Sequence, residues 1–311
     1  SEALGRASLD VAQCFILTLM GGLVVQRWGT DAQRHTLLPD LMRGDVRLSI
    51  GMSEPDAGSD AAALRTFAEL KGDVFVVNGQ KMWCTGAGLP GTRILCYVRT
   101  NREASKHRGL SVLLLDPATP GVELRKIGTL ARHILGTYEV YLDNVEVPQR
   151  NLIGRVDGGW DVMLSGLDLE RVLISGGYVG AAQATVDETL AYAKQRHAFG
   201  RPIGEFQAIT HALSDIQTEV DAARLLVQRA AWMHDKGVDS GGRAGAMAKL
   251  KGSETYVAAA RLGMQILAGH GFATESTMSF RYRESIVAPI SGGTSQIQRN
   301  AIARTMGLRG Y

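Results

Sequence analysis

What this 311-residue sequence lacks narrows it before anything it contains. Cysteine is scarce: Cys14, Cys84 and Cys96 are odd in number and far apart. That excludes a disulfide framework and a thiolate metal motif, and it suits a reducing compartment. Seven histidines are scattered without a close pair, so no metal site is expected. An excess of charge of one sign is also missing. The 34 Lys and Arg against 31 Asp and Glu leave +3, which argues against nucleic acid as a partner while leaving isolated basic patches free to grip a phosphate. No apolar run is expected to span a membrane, because Val11 to Val25 is interrupted by Gln13, Thr18, Gly21 and Gly22. The first residues show neither a basic leader nor a cleavage site, so no signal peptide is expected. The composition reads as soluble and cytoplasmic, or of the mitochondrial matrix if a transit peptide is missing. Internal repeats and low-complexity segments are absent too.

The length suits two domains, or two and a fragment, with a sizeable core. The expected fold class is α+β and multidomain. Residues 1–45 read as the C-terminal part of an N-terminal helical domain: Leu9–Val25 is a strongly apolar helix, and Thr30 with Gln33 forms a capping box opening a second helix that closes at Gly44. Residues 46–155 alternate short β-rich runs with turn signals, among them Lys71–Asp73 and Asn78-Gly79, and predict a middle β-barrel or sandwich domain. Residues 156–311 return to long helices, with Gln207–Asp235, Gly242–Ala268 and Thr294–Met306 following the first, and predict a C-terminal four-helix bundle.

Glu170 stands out on the first bundle helix. It falls inside the apolar stripe Met163, Leu167, Ile174, where an aliphatic side chain is expected. A carboxylate there is either a buried ion-pair partner or a functional group, and the helix alone leaves both open. Thr85–Gly91 satisfies G-x-G-x-x-G, but a strand follows it instead of a helix, which rejects a dinucleotide fingerprint. Ser53–Asp60 is a loop of small and polar residues, either an ordinary turn or a ligand grip. Trp83 reads alone as a core strand residue. Gly292-Gly293 before a helix offers open backbone amides to an acceptor, or is a plain N-cap at Thr294 or Ser295. Arg196–Gln207 is a basic, aromatic connection between two bundle helices that either presents Arg196 to a phosphate or is only a loop.

Six ordered motifs resemble the acyl-CoA dehydrogenase family: Ser53–Asp60, Gly79–Thr85, Asp168–Arg171, Arg196–Gly200 with Phe206-Gln207, Gln265–Gly271 and Gly292–Gln296. The match covers nearly the whole chain. The resemblance implies FAD bound without a dinucleotide fold. It implies flavin contacts from Ile50, Met52, Ser53, Ser59, Trp83 and Thr85, and from Thr294 and Gln296. Arg196, Phe199 and Gln207, with Gln265 and Gly269, are implied as contacts to the FAD of a neighbouring subunit. Ser59, Asp168, Arg171, Gly292 and Gly293 are implied to face the acyl-CoA substrate. A homotetramer or homodimer sharing FAD across subunits is implied, with an electron-transferring flavoprotein as acceptor.

This sequence departs from the family pattern at two places. Many members carry the catalytic base immediately before the Gly-Thr of the last motif, where this chain has Gly292. A subgroup resembling isovaleryl-CoA dehydrogenase carries it on the first bundle helix, and Glu170 matches that base. The helical part before the β-rich region is also short for the family, and Ala268 replaces a preferred Gly. The implied chemistry is α,β-dehydrogenation of an acyl-CoA to the trans-2-enoyl-CoA. Glu170 takes the α-proton, hydride passes to the flavin, and the backbone at Gly292–Gly293 holds the oxyanion. The same chemistry on a carrier-protein-bound acyl group, a non-catalytic partner subunit of a hetero-oligomer, and a flavin monooxygenase are the alternatives. Gly176 and Gly177, beyond Glu170, are expected to leave room for a branched acyl group.

Overall fold

The protein is described by a computed structural model covering residues 1–238 and 240–308, with Asp168 described by its main chain alone. In chain order the elements are α1 (Glu2–Ala7), α2 (Leu9–Trp28), α3 (Asp31–Arg43), β1 (Arg47–Gly51), β2 (Phe67–Lys71), β3 (Val74–Thr85), β4 (Thr92–Arg99), β5 (Leu110–Leu115), β6 (Val122–Ile127), β7 (Thr137–Pro148) and β8 (Leu152–Ile153). Then follow α4 (Gly159–Gln195), β9 (His197–Ala198), β10 (Arg201–Pro202), α5 (Gln207–Asp235), α6 (Arg243–Leu267), α7 (Gly269–Phe272), α8 (Thr277–Ser285) and α9 (Ser295–Thr305). The chain packs as two compact units, Ser1–Ile16 with Asp168–Tyr311, and Leu17–Leu167. Residues 45/46 and 155/156 mark changes of secondary structure. The packing divides elsewhere, inside α2 and α4, because each of these long helices gives its two ends to different cores.

In the second unit, Thr30 opens α3 with a complete capping box: its hydroxyl accepts from Gln33 N–H while the Gln33 side chain accepts from Thr30 N–H. Gly44 at φ 80 closes the helix. The strands form one mixed sheet ordered β6-β7-β3-β2-β4-β5-β8, with β1 beside β4 in parallel. Its inner face wraps a single core, since Leu113 and Leu115 from β5 join Val140 and Val147 from β7 in one cluster. The alternate residues Leu95, Tyr97 and Val112 face a second cluster with Val25, Leu41 and Val162. A strand buried on both faces explains why five of the six residues of β5 are apolar, Ser111 being the exception. Asn78-Gly79, expected as a turn, lies inside β3 at a register shift against β7. The two short runs on either side of it are one strand with a bulge, because β7 pairs along both.

α2 also departs from expectation. It is an uninterrupted helix of 20 residues, long and apolar enough to cross a membrane by length and composition. The polar and glycine positions that were expected to break it do not, because a helix tolerates them where packing compensates. Gly21 is pressed against the Leu48 side chain, and Gln13 is buried. A core helix passes the same test, and Leu9, Ala12, Ile16 and Val25 are buried.

In the first unit, α4 runs unbroken for 37 residues. Its glycines do not make room for an acyl group as expected. A Cβ at Gly177 would stand 3.0 Å from Leu9 Cδ1, and one at Gly180 would overlap the Glu2 carbonyl. Small residues here let α1 and the start of α2 approach the α4 backbone, so the space is already filled. Arg224 of α5 holds the same segment through Glu2 at 2.8 Å. Gly180→Ala is expected to push α1 off this face and to cost about 2 kcal/mol, read as a lowered thermal midpoint.

Candidate functional site

α4 presents Glu170 toward the turn before α9. A Cβ placed on Gly292 would stand 3.6 Å from Glu170 Oε1 and 3.6 Å from Ile174 Cδ1. The two family positions for the base therefore converge on one point. Glu170 is half-buried by surface and accepts no hydrogen bond among the described residues. Burial pushes its carboxyl up to about 7, against the opposing pull of the Arg171 guanidinium and the Lys249 ammonium.

The facing turn is held from below. Gly292 and Gly293 adopt φ 65 and φ 81, the left-handed region that glycine tolerates. Gln298 Nε2 donates to the Gly292 carbonyl at 3.1 Å and the Gly293 carbonyl at 3.0 Å, and Lys249 Nζ donates to the latter at 2.6 Å. Among the described residues neither glycine's N–H donates to a protein acceptor. Two successive amides with nothing to bind, on a turn whose carbonyls are tied, form a nest for a negatively charging oxygen. Thr294 is the N-cap of α9, its hydroxyl accepting from Ile297 N–H at 3.2 Å.

Thr294, Gln296 and Gln265 come together in one cavity of about 810 Å³ lined by α6 and the start of α9, with Arg261 and Ile290 also on its wall. Gly269 lies exposed after it, at the start of α7. The residue before it, Ala268, sits at φ 50 and ψ −126, a conformation natural only to glycine, which explains the family's preference there. Arg196, Phe199 and Gln207 are not among the residues lining this cavity. Phe199 is 95% exposed at the tip of the β9–β10 hairpin, at φ 50, beside Phe206, over which Arg201 stacks at 4.2 Å. Arg196 and Gln207 are exposed at the two ends of this connection. The Asp168 side chain lies outside the described residues.

In the second unit, Trp83 is no core residue. It is 55% exposed on left-handed backbone at φ 61, at a second register shift of β3. The loop bearing Ser53 and Ser59 is bound to the same strand, since Met82 N–H donates to the Ser53 carbonyl at 2.8 Å. Beneath it, Lys81 Nζ donates to Glu54 Oε1 at 2.7 Å and to the Met52 carbonyl at 3.4 Å. Glu54 also accepts from the amides of Arg65 at 2.6 Å and Thr66 at 2.9 Å. Burial would raise the Glu54 carboxyl, but the Lys81 ammonium and these hydrogen bonds outweigh it and hold the group below its ordinary value. Ile50 continues β1 into this loop, and Thr85 ends β3 opposite Thr137.

Lys81, Glu54, Lys249 and Gln298 were not singled out from the sequence. The one available signal was a charged residue in a β-rich run or an apolar helix, as at Glu170, and for Lys81 and Lys249 that signal was present.

Residues 49–145 match the family model for the acyl-CoA dehydrogenase middle domain, and residues 157–307 that for the acyl-CoA dehydrogenase C-terminal domain. The chain is 37% identical over 309 residues to "Probable acyl-CoA dehydrogenase YngJ" of Bacillus subtilis (strain 168), covering 98% of this chain and 79% of that protein. It is 35% identical over 282 residues to the mitochondrial isovaleryl-CoA dehydrogenase of Oryza sativa subsp. japonica, covering 90% and 68%. The solved structure of glutaryl-coenzyme A dehydrogenase with glutaryl-CoA matches at a TM-score of 0.94 and 31% identity, covering 99% of this chain and 78% of that one. Fold and motifs together define a flavin-dependent oxidoreductase. The chain belongs to the acyl-CoA dehydrogenase family, whose members use FAD to dehydrogenate acyl-CoA thioesters.

Glu54→Gln removes the charge opposite a fully buried ammonium and is expected to cost about 3 kcal/mol in denaturant unfolding. In the native protein the Glu54 contribution is complete above the carboxyl's ordinary value near 4.5 and is lost as pH falls through its lowered folded value. Acid unfolding of Glu54→Gln should lack that component.

Proposed function

We propose that this chain removes the α-proton of an acyl-CoA thioester with Glu170, the first step of forming a trans-2-enoyl thioester. The observation that carries the reading is the approach of the Glu170 carboxylate to a turn whose carbonyls are tied and whose amides are not. The α-proton of a thioester is weakly acidic, so a base alone is insufficient and the carbonyl oxygen must be stabilised as it gains charge. The Gly292 and Gly293 amides serve that oxygen from main chain, so the missing side chain at 292 costs nothing there. A carboxyl near 7 is strong enough to take the proton and is largely ionised just above neutrality.

The residues present fit FAD. An exposed Trp83 on strained backbone and the Ser53–Ser59 loop offer a face for a flat ring, with Ile50, Met52 and Thr85 supporting it. The cavity holding Gln265, Thr294 and Gln296 is within the size range of about 300–1,000 Å³ for cofactor sites. Bound FAD supplies the two-electron acceptor for the β-hydrogen. Phe199, nearly fully exposed at a hairpin tip, fits a contact lent with Arg196 and Gln207 to a second copy of the chain in a homotetramer or homodimer. An electron-transferring flavoprotein is the acceptor this reading implies.

Glu170→Gln should keep the bound flavin and the affinity for acyl-CoA while slowing anaerobic flavin reduction about a thousandfold or more. Near-normal bleaching in that variant moves the base elsewhere. An anaerobic titration with a panel of straight and branched acyl-CoAs then assigns the chain. In the wild type the rate of reduction should rise with pH through a limb near 7. The unfolded carboxyl ionises near 4.5, so the fold holds an extra proton between 4.5 and 7 and stability should fall as pH rises across that window, a slope absent in Glu170→Gln.

A further inference from the structure

Lys249 is fully buried, although an ammonium in a helix bundle is costly unless it does something there. Its Nζ donates to the Gly293 carbonyl at 2.6 Å. Gln298, also fully buried, donates from one amide nitrogen to both the Gly292 and the Gly293 carbonyl. These side chains come from different helices, α6 and α9, and grip consecutive peptide units of one left-handed turn. A turn of two glycines has many conformations available, and each must be excluded if its amides are to keep one direction. The glycines are also needed for the grip itself, since a Cβ at Gly293 would stand 2.7 Å from Gln298 Nε2.

We propose that Lys249 and Gln298 are positioning residues for the dehydrogenation. By holding the Gly292 and Gly293 carbonyls they aim the free amides of the turn at the substrate thioester, and the Lys249 charge also steadies the ionised form of the base across from it. The second half rests on Glu170 being that base; the first does not. The charged groups acting on Glu170 are Arg171, on its own helix, and Lys249, on α6. Lys249 Nζ sits on the Gly293 carbonyl while the Glu170 carboxylate faces the Cβ position of the adjacent Gly292, so the ammonium from α6 and the carboxylate from α4 meet the same turn. One buried ammonium thus couples the two halves of the site: anything that shifts it disturbs both the amides and the base. Burial and Lys249 act on Glu170 in opposite directions, so loss of the ammonium should make the carboxyl harder to ionise.

The test separates the two roles. Gln298→Met is expected to slow anaerobic flavin reduction about tenfold with the pH limb unmoved, because no charge is lost. Lys249→Met is expected to slow it as well and to move the limb upward by about one pH unit, while Lys249→Arg keeps the limb near its native position. A merely structural lysine would lower the thermal midpoint and leave the limb alone. A second readout avoids turnover. In the unreactive Glu170→Gln background, the infrared stretch of the bound thioester carbonyl is recorded for the 13C-labelled acyl-CoA that reduces the wild-type flavin fastest. Adding Gln298→Met or Lys249→Met should return that stretch toward its value in water, because the amides no longer polarise it. An unchanged stretch in Gln298→Met overturns the positioning role even if Lys249→Met does not accumulate as folded protein. An unmoved limb in folded Lys249→Met overturns the charge role. Failure of Glu170 as base would show instead as normal reduction in Glu170→Gln, and the carbonyl stretch is then recorded on the bound trans-2-enoyl-CoA, which does not reduce the flavin, so the positioning test stands.

Discussion

A carboxylate in the apolar stripe of a long helix is the constraint on which the arrangement of α4, α6 and α9 depends. Glu170 gives up much of its hydration and gains no hydrogen-bond donor among the described residues in return. What makes the position tolerable is charge at a distance, from Arg171 along the same helix and from Lys249 on α6. The result is a group close to half-ionised near neutrality, which is the condition a general base needs. The requirement propagates outward. α4, α6 and α9 must hold their places for the ammonium, the carboxylate and the glycine turn to coincide, and the buried side chains of Lys249 and Gln298 reach between them. α4 and its neighbours are correspondingly long.

The second unit handles a buried glutamate in the opposite way. Glu54 has an ammonium at 2.7 Å and two backbone amides, and its carboxyl is held below its ordinary value. Three of its roughly four acceptor sites are committed and the group is buried beside Lys81, so it serves to bind the Ser53 loop to β3. Glu170 has its acceptor capacity uncommitted and a raised value. The contrast between a well-partnered and an unpartnered carboxylate separates a fastening from a group with acceptor capacity to spare more sharply than burial does.

Local chemistry was legible wherever a signal is local. The Thr30 and Gln33 capping box, the Gly44 stop and the bounds of α5 follow from neighbours in sequence. α1 was read only as part of a helical stretch, and α7 and α8 were not read as separate helices, because short helices leave too few residues to show a period. Asn78-Gly79 looked like a turn because the residues fit one, yet pairing with β7 along its whole length overrode that preference. The glycines of α4 looked like space and proved to be contact with α1 and α2, and Trp83, in a strand and aromatic, proved to be exposed. In each case contacts with distant elements, and not the residue's own preference, decided its use.

The sequence by itself determined the main inventory: which long segments are helix, which region is rich in strands, and, through the family resemblance, that Gly292 leaves the customary position of the base without a carboxylate while Glu170 matches the alternative position. Only the tertiary structure decided that these two positions meet, with 3.6 Å between the carboxylate oxygen and the place where a side chain at 292 would begin. They lie far apart in the chain, on α4 and before α9, and no periodicity links them. The structure also decided that, among the described residues, the amides of the turn meet no acceptor while its carbonyls are tied. That follows from two buried side chains whose neighbours in sequence give no sign of what they hold, because a hydrogen bond between distant elements is set by packing and not by local preference.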